Sequence, residues 1–335
     1  MPGNRVVLAL LAAVVPVAAV LVVLMLPGVA PPEGATDSGQ AIHSLYWIVF
    51  AITAIVFVLV EATLIAFIIR YRRRTHSHPD VEGPQIHGNT RVEIAWTLIP
   101  TVILIALAGY TFSQVPAVQG SSDSGRDALE IGITAHQFYW QYDYGDGRYS
   151  YDTLYLPVDR QIVLRIESAD VDHSWWVPEL TGKRDAIPGR VNFLRFRTEE
   201  VGTFTSGVCG EFCGTQHARM TTDVEIMEQG AFQAWVDEQG PDTQLEVGES
   251  QWLAACAKCH GIDGEGDIGP PIAKNPILTD PAQLKPLLYE GRDTDGVPNY
   301  MPPVGFGWTD EQIDTLIAYI ESNPTLAPPG GTGGG

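Results

Sequence analysis

Two long apolar runs, about Leu45–Ile69 and about Ile94–Phe112, set the first limit on what this chain can become. Each is long enough to cross the roughly 30 Å hydrocarbon core of a bilayer as a helix. The first closes on Arg70, Arg72, Arg73 and Arg74, and Arg91 precedes the second, so five arginines occupy the intervening loop. Loops rich in arginine stay on the cytoplasmic side. Residues 43–112 therefore read as a two-helix transmembrane hairpin, with everything beyond Phe112 on the outer face. An earlier stretch, Val6–Val29, follows Arg5, contains Pro16 and ends in small residues and prolines. Residues 1–42 are read as a signal peptide or an additional span plus a short outer segment, with cleavage the favoured reading. Two carboxylates interrupt the apolar pattern. Glu61 lies inside one span, where a charge is costly and points to function or to a partner subunit. Glu93 opens the next, where a carboxylate either collects protons or reaches back to water at little cost.

The charge lies elsewhere. The first 112 residues hold six Lys/Arg and six Asp/Glu, so the remainder accounts for the whole net charge of −20. Such a surface repels nucleic acid and attracts cationic partners. Its composition divides it further. Residues 113–128 read as a linker rich in Ser, Gly and Asp. From 129 to 229 short runs alternate, as in Ile162, Leu164 and Ile166, Leu194 and Phe196, or Val224 and Ile226, with turn residues between them. That pattern predicts an all-β sandwich or barrel. Residues 230–248 read as a short helix and a second linker, and 249–323 as a helical module. Thr309 and Gln312 form a capping box there, ahead of Ile313, Leu316, Ile317 and Ile320 on one helix face. The Pro/Gly-rich residues 324–335 read as a disordered tail.

Four cysteines fall in two close pairs. In an exported chain either pair could be a disulfide, but their neighbours argue for metals. Cys209-Gly-Glu211-Phe-Cys213-Gly-Thr-Gln-His217-Ala-Arg-Met220 gathers two thiols, an imidazole and a thioether in twelve residues. Thiolates and thioethers are soft ligands that favour copper. Zinc would accept two Cys and two His, although Met is a poor zinc ligand. Two cysteines can bridge two coppers, and His173, ahead of Ser174-Trp175-Trp176, is the candidate second imidazole. The other pair, Cys256-Ala-Lys-Cys259-His260, is a c-type haem attachment sequence, with His260 as an axial iron ligand. Met301, in Asn299-Tyr-Met-Pro-Pro, is the natural sixth ligand; core packing is its alternative role.

The pattern Cys-x-Glu-x-Cys-x3-His-x2-Met resembles that of subunit II of cytochrome c oxidase. So do Asp172-His-Ser-Trp-Trp-Val-Pro, Asp185-Ala-Ile-Pro-Gly-Arg190 and Glu93-Ile-Ala-Trp-Thr-Leu-Ile-Pro100. The helical module resembles class I cytochrome c, and the fusion resembles oxidases that carry their own cytochrome c. The resemblance implies a multidomain fold: transmembrane hairpin, cupredoxin domain, all-α class I cytochrome c. It implies a dinuclear copper centre bridged by Cys209 and Cys213. His173 and Met220 would complete one copper, and His217 with the Glu211 carbonyl the other. It further implies a magnesium ion at the Glu211 side chain, against subunit I, and a proton-path entrance near Glu93. The implied function is electron relay from an external donor, such as a cationic cytochrome or a quinol–cytochrome c reductase, to haem c, then copper, then subunit I, where O2 becomes water. The setting would be a bacterial plasma membrane, with lipid and other oxidase subunits as partners. A copper-containing nitric oxide reductase subunit and a membrane-tethered copper carrier are the alternatives. The sequence departs from the family at Phe138, where the family has the Trp at which a free cytochrome docks. On this reading a haem tethered by about 20 residues of linker makes that surface dispensable.

Overall fold

The computed structural model describes residues 3–26, 31–71, 85, 88–118, 128–238, 244–294 and 297–329. Arg72, Arg73 and Arg74, on which the loop's orientation partly rests, lie outside the described residues.

The chain divides into two compact units. One holds the apolar helices. Helix α1 covers Gly3–Met25 with Pro16 inside it. Helix α2, Asp37–Tyr71, and helix α3, Thr90–Val118, are both long and apolar enough to span a bilayer. Large apolar side chains such as Leu59, Ile68, Val102 and Ile105 stand exposed on them, as lipid-facing residues do. The third helix runs past Phe112 to Val118, into the stretch read as linker; residues 119–127 lie outside the described residues.

The second unit begins with a β-sandwich of two five-stranded sheets. The strands are β1 (Leu129–His136), β2 (Tyr139–Asp143), β3 (Tyr149–Tyr151), β4 (Thr153–Pro157) and β5 (Gln161–Ser168). They continue with β6 (His173–Trp176), β7 (Arg184–Ala186), β8 (Asn192–Arg197), β9 (Gly202–Cys209) and β10 (Thr221–Met227). The sheet orders are β3-β2-β1-β5-β8 and β4-β10-β9-β6-β7. The alternation seen in the sequence is the burial pattern: Ile162, Leu164, Ile166, Leu194, Phe196, Val224 and Ile226 are all core residues. An N-terminal strap, Glu33–Gln40, belongs to this unit. The amide of Ala35 donates to the Glu179 carbonyl at 2.9 Å, and the Arg197 amide donates to the Asp37 carboxylate at 2.9 Å.

Helix α4 (Gln229–Glu238) follows, and residues 239–243 lie outside the described residues. This helix packs on the sandwich: the Trp235 ring sits 4.8 Å from Tyr144 and 4.6 Å from Tyr155. Helix α5 (Gln244–Trp252) opens the helical module and runs through a π-helical turn, Leu253–Ala257, into the short α6, Lys258–His260. Helices α7 (Pro281–Glu290) and α8 (Asp310–Ser322) complete it, with a two-stranded ribbon of β11 (Arg292–Thr294) and β12 (Val297–Met301). The Thr309–Gln312 capping box is present, and Ile313, Leu316, Ile317 and Ile320 are buried. Helix α5 crosses α8 so closely at Gly248 that a Cβ there would lie 2.6 Å from the Thr315 carbonyl oxygen.

Two expectations change. The chain after Pro324 does not begin as a disordered tail. Leu326 is fully buried in the helical module, and its carbonyl accepts from the Lys274 amide at 3.0 Å. One apolar side chain outweighs the Pro/Gly composition around it; residues 330–335 lie outside the described residues. The helical module is also not held by a tether alone. Tyr139 and Tyr151 of the sandwich belong to its hydrophobic core, together with Trp252, Trp308 and Leu316. The Tyr139 hydroxyl donates to the Val304 carbonyl at 2.5 Å, and the Gln312 side chain donates to the Tyr151 hydroxyl at 2.9 Å.

Candidate functional site

Strand β6 begins at His173, β9 ends at Cys209, and the loop after β9 carries Glu211, Cys213, His217 and Met220. His173, Cys209 and Cys213 are buried, with their ligand atoms within 4.8 Å of one another. The two sulfurs lie 3.9 Å apart, and all four cysteines of the chain are free, so neither pair is a disulfide. Nδ1 of His173 lies 3.1 Å from the Met220 sulfur, and Nδ1 of His217 lies 3.6 Å from the Cys213 sulfur. The Cys209 sulfur lies 3.2 Å from the Glu211 carbonyl oxygen. Every copper candidate thus touches this cluster: His173 meets Met220, the Glu211 carbonyl lies against the Cys209 sulfur, and His217 lies against the Cys213 sulfur. The Glu211 carboxylate points elsewhere. It is half-exposed, 3.9 Å from the Lys183 ammonium.

The two neighbouring thiols hold their protons unequally. Contact with the Cys213 thiol, and after it the His173 ring, pushes Cys209 down to about 3, while the same contact and burial push Cys213 up. One thiolate therefore forms readily, and a cation between the sulfurs would displace the second proton. Sequence reasoning missed Asp170. Its Oδ1 accepts from Nε2 of His173 at 2.8 Å, which fixes the tautomer and leaves Nδ1 toward the sulfurs. Burial works against ionisation of Asp170, but the bond and charge of His173 outweigh it and hold the carboxyl below its usual value. The spacing Asp170-x-x-His173 was the available signal.

The second site lies on α6. The Nδ1–H of His260 donates to the Pro270 carbonyl at 2.7 Å, so Nε2 remains as the lone-pair nitrogen. His260 and Cys256 are buried, and Cys259 is partly so. Glycines wrap the turn: Gly269 donates to the Cys259 carbonyl at 2.7 Å, and a Cβ on it would lie 2.8 Å from the His260 ring. Two free thiols just ahead of an imidazole oriented in this way fit covalent haem. Met301 ends β12, partly buried against the module's core.

Glu93 stands at the start of α3. Its carboxylate accepts the Asn89 amide at 2.9 Å, so it also closes the helix end.

The comparisons follow the same order along the chain. The transmembrane domain of cytochrome c oxidase subunit II matches residues 28–114, its periplasmic domain matches 149–227, and cytochrome c matches 245–324. Cytochrome c oxidase subunit 2 of Bacillus subtilis is 29% identical over 72% of this chain and 75% of its own. A crystal structure of the periplasmic domain of subunit II from Bradyrhizobium japonicum is 30% identical, covering 34% of this chain and 95% of that one at a TM-score of 0.32. Cytochrome c oxidase subunit 2 of Alkalihalophilus pseudofirmus is 33% identical over 87% of this chain and 89% of its own length. A match of that extent takes in the hairpin, the sandwich and the haem-type module together, and the chain belongs to the family of cytochrome c oxidase subunit II, in the form that continues into a cytochrome c domain.

Proposed function

We propose that this subunit relays electrons in a haem–copper oxidase of a bacterial plasma membrane, taking them in at the cytochrome c domain and delivering them through the sandwich to subunit I. The observation that carries the proposal is the convergence of His173, Cys209, Cys213, His217, Met220 and the Glu211 carbonyl around two free sulfurs. These groups would hold two coppers. Cys256, Cys259, His260 and Met301 would hold haem c. When bound, the metals supply reversible one-electron chemistry matched to a relay between a donor and an oxygen-reducing subunit.

The chain's own residues supply position. Asp170 fixes the His173 ring and the Pro270 carbonyl fixes His260. Burial keeps four of the copper ligands dry, since His173 and Met220 are wholly inside and Cys209 and Cys213 nearly so, while His217 is partly exposed. Glu211 would face a magnesium ion and subunit I, and Glu93 would pass protons toward subunit I. The acidic outer part would draw a cationic donor.

The test is the native complex. It should contain two coppers in this subunit, with one unpaired electron shared between them by electron paramagnetic resonance, and covalent haem. The complex should consume O2 rather than NO. One copper with a localised signal, or stoichiometric zinc, would overturn the assignment.

A further inference from the structure

Two cations cross between the sandwich and the haem-type module, and they do so reciprocally. Arg219 sits in the ligand loop, between His217 and Met220. Its guanidinium donates to the Lys258 carbonyl at 3.1 Å and to the Asp267 carboxylate at 2.7 Å, both in the other module. Lys258 sits between Cys256 and Cys259. Its ammonium donates to the Phe138 carbonyl at 2.9 Å and to the Asp152 carboxylate at 2.6 Å, both in the sandwich. Each cation thus takes one backbone carbonyl and one carboxylate from the opposite side. Lys258 is the common member, since its own carbonyl accepts from Arg219.

The clamp closes on the ligands of both centres. Gln137, next to Phe138, donates its side-chain N–H to the Cys213 carbonyl at 2.5 Å. The path from the Cys213 carbonyl through Gln137, Phe138 and Lys258 to Cys259 therefore consists of covalent bonds and two hydrogen bonds. A surface ion pair by itself holds little, and Arg219 and Asp267 are each half-exposed. The Lys258–Asp152 pair is mostly buried, and the backbone carbonyls fix both cations in direction. Tyr139 and Tyr151 pack the modules together through a shared apolar core; the two cations fix which turn meets which loop.

We propose that Arg219 and Lys258 are positioning residues that lock the haem-attachment turn onto the metal-ligand loop, so that transfer between the centres occurs in a docked state and not by release and return of the module. The proposal rests on the relay reading given above and names the contacts through which that relay runs.

The experiment uses the assembled oxidase with Arg219→Ala, Lys258→Met, the double variant and Arg219→Lys. Three properties are read: amide hydrogen exchange in Tyr149–Tyr151 and 302–308, the copper and haem spectra, and the rate of internal electron transfer after flash reduction of the haem. In that step one electron leaves the haem iron and one copper pair is reduced, with no proton or bond change. The double variant should speed exchange in both segments and slow internal transfer by about tenfold or more, as loss of positioning does elsewhere. Its spectra should be unchanged, and Arg219→Lys should recover part of both effects. Unchanged exchange and unchanged transfer in the double variant would overturn the clamp. Loss of copper or haem signal would overturn it too, because the side chains would then serve the sites themselves and not the seat between them. Exchange that responds while the wild-type centres pass no electron would leave the clamp standing and sink the relay.

Discussion

Nε2 of His173 is bonded to Oδ1 of Asp170 at 2.8 Å, while Nδ1 of the same ring meets the Met220 sulfur at 3.1 Å. The ring is held from behind and offered in front, which is how partners behind a ligand tune metal affinity. Asp170 also accepts the Gln137 and Val171 amides. Asp170→Asn should retain those contacts in part but lose the charge behind the ring. Copper affinity should fall by about 10- to 100-fold, measured by chelator competition on the purified complex. Unchanged affinity would show the bond to be structural only.

At the haem-type site the sharpest probe is Gly269→Ala. The added Cβ would fall 2.8 Å from the His260 ring and 3.2 Å from the Cys259 carbonyl. Overpacking of this kind costs about 1–3 kcal/mol. Covalent haem should still form, because both thiols are untouched, but the axial imidazole should tilt. Haem staining should persist while the visible spectrum and the midpoint potential shift. Cys256→Ser/Cys259→Ser should abolish staining.

His136 gives a pH test. It is buried and stacks on Tyr139 with ring centroids 4.7 Å apart, and among the described residues neither ring nitrogen has a hydrogen-bond partner. Burial lowers its pKa from 6.5 to about 4, against a smaller upward pull from Asp170. Above pH 6.5 the ring is neutral folded and unfolded, and contributes no pH dependence. As the pH falls from 6.5 towards 4 the unfolded chain takes the proton first, so stability drops, by about 3 kcal/mol at most. His136→Phe keeps the stack and removes the titration. Unfolding midpoints of the full chain between pH 7 and 4.5 should fall less in the variant than in the wild type; equal falls would refute this.

Glu93→Gln separates two roles. A Gln carbonyl can still accept the Asn89 amide, so the start of α3 should be preserved. Oxidase turnover should fall severely while reduction of copper and haem is intact. Turnover at the wild-type rate would leave Glu93 as a helix-end residue alone.

Charge should govern only the first electron step. The outer part carries the chain's net −20, and exposed charges are screened beyond about 8 Å at physiological ionic strength. Raising the salt should slow reduction of the haem by a cationic donor, and should change internal transfer much less. Stopped-flow records of both steps would separate them.

The runs Cys209–Met220 and Cys256–His260 stood out because each packs residue types that few other roles demand into a dozen residues or fewer, whereas His173 and Met301 lie about forty residues away from them. The strands were legible because Ile162, Leu164 and Ile166 face one core in a period of two. The seat between the modules was not. It joins Tyr139 to Val304 and Tyr151 to Gln312 across more than 150 positions, and tyrosine suits a surface as readily as an interior. Lys258 and Arg219 occupy the variable places of their motifs, where attention falls on the flanking ligands. Leu326 was hidden by the prolines and glycines around it.

The tyrosines shared between the modules also bear on how the protein matures. Until the cytochrome domain has closed around its own core, Tyr139 and Tyr151 lack the Trp252, Trp308 and Leu316 packing they share with it, and an aromatic patch on the sandwich stays open to chaperones and proteases. A chain that fails to acquire haem should therefore be cleared even if its sandwich is sound. Completion of one centre becomes a checkpoint for the whole subunit before it joins its complex.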